Sequence, residues 1–123
     1  MDATLRRQLA MGNGIGRALI GASLIAAPTV ATRSWLGADG PAAKVLGRAL
    51  GARDLALGAG LLWALGRDEP AHAWLVAAVL ADGVDAGATL LGWSDLPPAG
   101  RAAVLALAAG SAVQMAALAA AER

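Results

Sequence analysis

The sequence predicts an all-α protein, a four-helix transmembrane bundle running up-down-up-down through the cell membrane. Three observations carry this expectation. Hydrophobic residues make up 58% of the 123-residue chain and charged residues 15%, against about 45–50% and 25% for an ordinary soluble domain, and mean hydropathy is +0.59. Ala, Gly and Leu dominate, with no Phe or Tyr; helix formers are therefore plentiful and strand formers scarce. Proline and acidic residues divide the chain into four stretches of bilayer-crossing length. One domain is expected at this length.

The first segment, roughly 8–30, is closed by Pro28 and the polar stretch that follows it. Met1 to Arg7 is charged, but the apolar run after it is long and lacks a small-x-small cleavage context, so the helix reads as retained rather than as a signal peptide. The next three segments open alike, with an acid just before proline: Asp39-Gly40-Pro41, Asp68-Glu69-Pro70 and Asp95-Leu96-Pro97-Pro98. Aspartate there can satisfy free N–H groups and complement the helix dipole, and proline is tolerated in a first turn whose N–H groups lack partners. Helices are thus predicted over roughly 41–66, 70–92 and 97–120. Each has about 20–25 residues, enough to cross a ~30 Å hydrocarbon core. A soluble Ala-rich bundle is the competing reading, but it should show i, i+4 Glu/Lys pairs on polar faces, and these segments have almost none.

Trp35 and Trp93 fall at one end of such a bundle and Trp63 and Trp74 at the other, the pattern of two interfacial belts. Arg6, Arg7, Arg67 and Arg123 lie on one side and Arg33, Lys44 and Arg101 on the other. The excess of basic residues predicts both termini on the cytoplasmic face. Small residues let membrane helices approach closely. At 100° per residue, Gly47, Gly51, Asp54 and Gly58 share an arc of about 60°, so Gly47, Gly51 and Gly58 are the expected packing positions. Gly14, Arg17, Gly21, Leu24 and Pro28 share a face of the first segment.

Six ionisable residues lie within the spans: Arg17, Arg48, Arg53, Asp54, Asp82 and Asp85. Each costs about 2.5–3.5 kcal/mol at the bilayer centre if unpaired, on the order of 15–20 kcal/mol together. The set is three positive and three negative, so it can neutralise itself. Matched depth pairs Arg48 with Asp85, and Arg17 with Asp82 or Asp54. Asp82 and Asp85, three apart on one helix, can both face the interior beside Ala78 and Thr89 and share a proton if that interior is dry. Arg53 points about 100° from Asp54 and is left to another helix, a second subunit or a water-filled cavity.

With Arg48-x-x-Gly51-Ala52-Arg53-Asp54-Leu55-x-x-Gly58 and Ala81-Asp82-x-x-Asp85 in view, the chain resembles domain of unknown function 4267, a group of small four-helix membrane proteins. The shared pattern is a first helix ending in Ala27-Pro28, then Gly-x-Arg-Asp-x-x-x-Gly on the second and an Asp pair on the third. The resemblance covers most of the chain. It implies the four-helix membrane fold, carries over Gly51, Arg53, Asp54, Gly58, Asp82 and Asp85, and implies no activity.

Other chemistries find little support. Without cysteine, disulfides, thiolate metal sites and Cys nucleophiles are excluded. The single His72 reads as a solvated interfacial residue. Net charge is +1 and no basic stripe is interleaved with aromatics, so no nucleic-acid partner is expected. Gly12-x-Gly14-x-Gly16 lacks the spacing and preceding strand of a dinucleotide loop. Asp82-Gly83-x-x-Ala86 matches the opening of the CDP-alcohol phosphotransferase signature, but Gly87 stands where that signature needs arginine. Asp82-x-x-Asp85 beside three arginines reads as paired rather than as a Mg²⁺ site, and no metal or cofactor is expected. Ser111 has no base near it in sequence.

Three functional classes follow. The first is a membrane protein that uses the Arg/Asp cluster to bind a small molecule, a lipid or a partner protein. The second is a proton-coupled small transporter acting as a homo-oligomer. The third is a membrane-embedded cyclase or isomerase with an aspartate as general acid. The cluster itself reads equally as a register-fixing ion-pair network or as a polar cavity.

Overall fold

The computed structural model describes residues 1–123, and the fold is all-α. Its five α-helices are α1 (Ala3–Ala26), α2 (Pro28–Leu36), α3 (Pro41–Gly66), α4 (His72–Leu91) and α5 (Pro98–Ala121), with a single 3₁₀ turn at Trp93–Asp95.

The first segment differs from the expected 8–30 at both ends. Helix α1 begins at Ala3, because the Asp2 carboxylate accepts the Leu5 N–H at 2.8 Å, a cap the sequence reading overlooked. It stops at Ala26. Pro28 offers no N–H to continue the ladder, and Ala27 leaves the helical region at φ −136°, ψ 68°. Proline then occupies the first position of a new helix, where its fixed φ suits helix entry, so the polar stretch after Pro28 becomes α2. That helix ends at Gly37, whose φ of 67° is a left-handed conformation glycine adopts freely.

The acid-then-proline starts also require correction. Helix α3 begins at Pro41 and α5 at Pro98, but α4 begins at His72, two residues beyond Pro70. None of the three has a side-chain N-cap. Asp39 instead meets Arg33 Nε at 2.8 Å and Asp68 meets Arg7 Nη1 at 2.9 Å, both exposed pairs of small energetic weight. Asp95 lies in the 3₁₀ turn.

Packing is organised as two intimate antiparallel pairs, α1 with α3 and α4 with α5. Glycine explains the first. A Cβ on Gly58 would lie 2.6 Å from the Gly14 carbonyl oxygen and 2.7 Å from the Ala18 nitrogen, and one on Gly51 would lie 2.7 Å from the Gly21 carbonyl oxygen. The backbones touch where Gly14 and Gly21, one heptad apart, meet Gly58 and Gly51. Gly47 gives the same close approach to α2, with Pro28 Cβ 2.8 Å from its would-be Cβ. At the other end of the bundle the side-chain core gathers Leu61, Ala64 and Leu65 of α3 against Leu75 of α4 and Met115 and Leu118 of α5.

Only 22 of 123 residues are buried, and Arg17, Asp82, Thr32 and Thr89 are among them. Large apolar side chains point outward instead: Leu80 and Val84 on α4 are 65% and 66% exposed, Leu107 and Val113 on α5 69% and 72%. Apolar side chains are therefore plentiful on the surface, while the interior combines an apolar core with a charged cluster. Helices α1, α4 and α5 are long and apolar enough to cross a membrane. Helix α3 is long enough at 26 residues but is not among them, because Lys44, Arg48, Arg53, Asp54 and its glycines dilute its hydropathy.

Candidate functional site

Arg17 sits halfway along α1 on the glycine face that α3 packs against. Its guanidinium reaches both partners considered in the sequence: Nη1 donates to Asp54 Oδ1 at 2.9 Å, and Nη2 donates to Asp82 Oδ2. A planar fork suits this task, since it presents several fixed donors to two carboxylates at once. Nη2 also reaches Ser111 Oγ at 3.3 Å, and Asn13 Nδ2 donates to the same hydroxyl oxygen at 3.0 Å. Four helices therefore meet at one arginine that is only 8% exposed.

The other two expected pairings are rearranged. Arg53 is not stray: it clamps Asp85 in a bidentate pair, Nη1 to Oδ1 at 2.9 Å and Nη2 to Oδ2 at 2.6 Å, and touches Asp54 Oδ1 at 3.3 Å. Arg48 does not reach Asp85. It is exposed, and its Nε donates weakly to the Ile25 carbonyl at 3.4 Å. Asp82 and Asp85 turn to different arginines, and no hydrogen bond joins them. The structure thus brings together five of the six charged positions and leaves Arg48 outside.

Residues the sequence reading passed over complete the arrangement. Asn13, one helical turn before Arg17, shares its face, and i, i+4 spacing was the available signal. Trp35, assigned only to an interfacial belt, donates from Nε1 to Thr89 Oγ1 at 3.1 Å, and that hydroxyl donates to the Asp85 carbonyl at 2.7 Å. Helix α2 is thereby tied to the turn of α4 that carries Asp85. Ser111 offered no local signal, because its partners are 94 and 98 residues away.

The ion pairs form one wall of a cavity of about 500 Å³. Asp54, Asp82 and Asp85 all face it, each engaged by an arginine. Much of its apolar lining comes from α5, through Ala103, Val104, Leu107 and Ala108. Ile20, Leu24 and Ala31 line its margin and also border a shallow apolar groove at the α1–α2 break. Helices α1 and α5 both line the cavity and make few contacts with each other. No group of three or more acidic or histidine side chains is arranged to hold a metal ion.

No family model, no curated protein and no solved structure significantly matches the chain. The site is therefore read from its own geometry.

Proposed function

We propose that the chain is a small integral membrane protein whose four long helices cross the bilayer up-down-up-down, and that the Arg/Asp cavity is a binding site for a small amphiphile. The observation that carries this reading is the mixed lining of the cavity, which joins a charged cluster at mid-helix depth to apolar residues of α5. Ligand pockets are commonly apolar with a few placed polar groups. Outward Leu and Val with inward Arg and Asp support the bilayer assignment. Helix α3 serves as the fourth span. At 1.5 Å per residue it extends about 39 Å, its central charges turn inward, and Lys44 and Arg48 lie toward one end, where long side chains can reach the interface. The small excess of basic residues at the end that carries Trp63 and Trp74 supports both termini on the cytoplasmic face. Membership of domain of unknown function 4267 belongs to the same proposal and rests on Gly51, Arg53, Asp54, Gly58, Asp82 and Asp85.

The binding reading fits this geometry better than the alternatives. A general acid needs a carboxyl group held for proton donation, and all three aspartates are held by arginine. The transporter reading drew on an unpaired Arg53, which pairs with Asp85 and Asp54 within the chain.

Two measurements test the proposal. The expressed chain should stay in the membrane pellet through alkaline carbonate and leave it only in detergent; recovery in the soluble fraction overturns the bilayer assignment. In nanodiscs, 1-decanol should bind one per chain above the heat of empty discs in titration calorimetry, and Val104→Trp, which fills the apolar wall, should abolish it. Binding unchanged in that variant would place the site elsewhere.

A further inference from the structure

The charged set is unbalanced once Arg48 is outside it. Around the cavity stand two arginines, Arg17 and Arg53, and three aspartates, Asp54, Asp82 and Asp85. With every group ionised, the wall carries one uncompensated negative charge. Asp85 spends both oxygens on Arg53. Asp54 gives only Oδ1, shared between Arg17 and Arg53, and Asp82 gives only Oδ2. Asp54 Oδ2 and Asp82 Oδ1 receive no hydrogen bond from the protein, yet neither is among the polar atoms sealed in its interior. Asp82 is 6% exposed, so the small part of it left open looks into the cavity its side chain lines.

A buried, uncompensated negative charge calls for a cation. The absence of any three-ligand acidic or histidine cluster argues against a metal ion, and the apolar α5 wall gives a hydrated ion nothing to bind. Resting on the binding role proposed above, we propose that the cavity takes a hydrophobic amine in its protonated form. Its ammonium group donates to Asp54 Oδ2 and Asp82 Oδ1. Its hydrocarbon chain lies along Val104 and Leu107 and toward Ile20 and Leu24, which also border the apolar groove.

The test uses three ligands that share a ten-carbon chain: decylammonium, 1-decanol and decanoate, each titrated into the full chain in zwitterionic nanodiscs with empty discs subtracted. Decylammonium should bind one per chain at least tenfold more tightly than decanol, with decanoate undetected. Asp82→Asn, which leaves two arginines against two aspartates, should remove the preference for the amine and retain decanol binding; Asp54→Asn makes the same test if the first variant is not recovered folded. Equal affinity for amine and alcohol overturns the cation assignment while leaving the cavity reading intact, and shows that the surplus charge is met by a proton. Tighter binding of decanoate overturns it by sign. Failure of all three ligands to bind overturns this proposal and the binding role together.

Discussion

Arg17 is the residue on which the interior depends. It is the shared partner of Asp54 and Asp82, and removing it takes away the only arginine on Asp82 and one of the two on Asp54. Breaking a buried ion pair in this way costs about 3–5 kcal/mol. Arg17→Leu should lower the stability of the detergent-solubilised protein by that amount in denaturant unfolding, and Arg17→Lys should recover only part of it, since an ammonium is a point charge and cannot reproduce a fork. The Arg17 contacts were legible in the sequence, because Arg17 lies on the glycine face of α1 at the depth of both aspartates. The Arg53–Asp85 pair was not. Depth was the wrong coordinate on its own: at 100° per residue Arg48 lies about 120° to one side of Asp54 and Arg53 about 100° to the other, and only the second flank turns toward α4. Sequence gives the rotation of a residue on its own helix but not which neighbour stands on which flank.

Among the elements, the α1–α3 pair is the most constrained, because its contact is backbone against backbone. Gly58→Ala places a methyl group 2.6 Å from the Gly14 carbonyl oxygen, and the helices must separate to admit it. A loss of about 1–3 kcal/mol, the usual range for overpacking, is expected in the same unfolding measurement. Gly83→Ala on α4 is the control: nothing lies within 4 Å of its would-be Cβ, and the helix should be unchanged or slightly firmer. The approximate extents of the four long helices followed from apolar length and proline, which act locally, but the count did not, since a fifth short helix follows Ala27 and begins at Pro28. The break at Ala27 followed less well, since Pro28 reads equally as the end of one helix and as the first residue of another. The Asp caps failed because Asp39 and Asp68 found arginine partners instead, one of them 61 residues away.

The four crossings proposed above require both termini on one face. The absence of cysteine makes this directly measurable with single introduced thiols. In right-side-out and inverted vesicles, Glu122→Cys and Asp2→Cys should react with a membrane-impermeant maleimide from the same side, and Asp39→Cys from the opposite side. Labelling of residues 2 and 122 from different sides would mean that α3 does not span. Composition disclosed the large apolar surface, since apolar residues in such excess cannot all be buried in a chain of this size. The cavity was beyond its reach, because the space arises from how two helix pairs lean together.

That lean makes the molecule lopsided along its length, and the tryptophans divide accordingly. Trp63 and Trp74 ring the filled end, where Leu61, Leu75 and Met115 close the interior, and both are exposed on its outside. Trp35 lines the hollow, and Trp93 stacks beneath Arg101 at the same end. Trp35 thus records whatever occupies the hollow, and Trp63 and Trp74 serve as a built-in reference that shares its lipid, detergent and temperature.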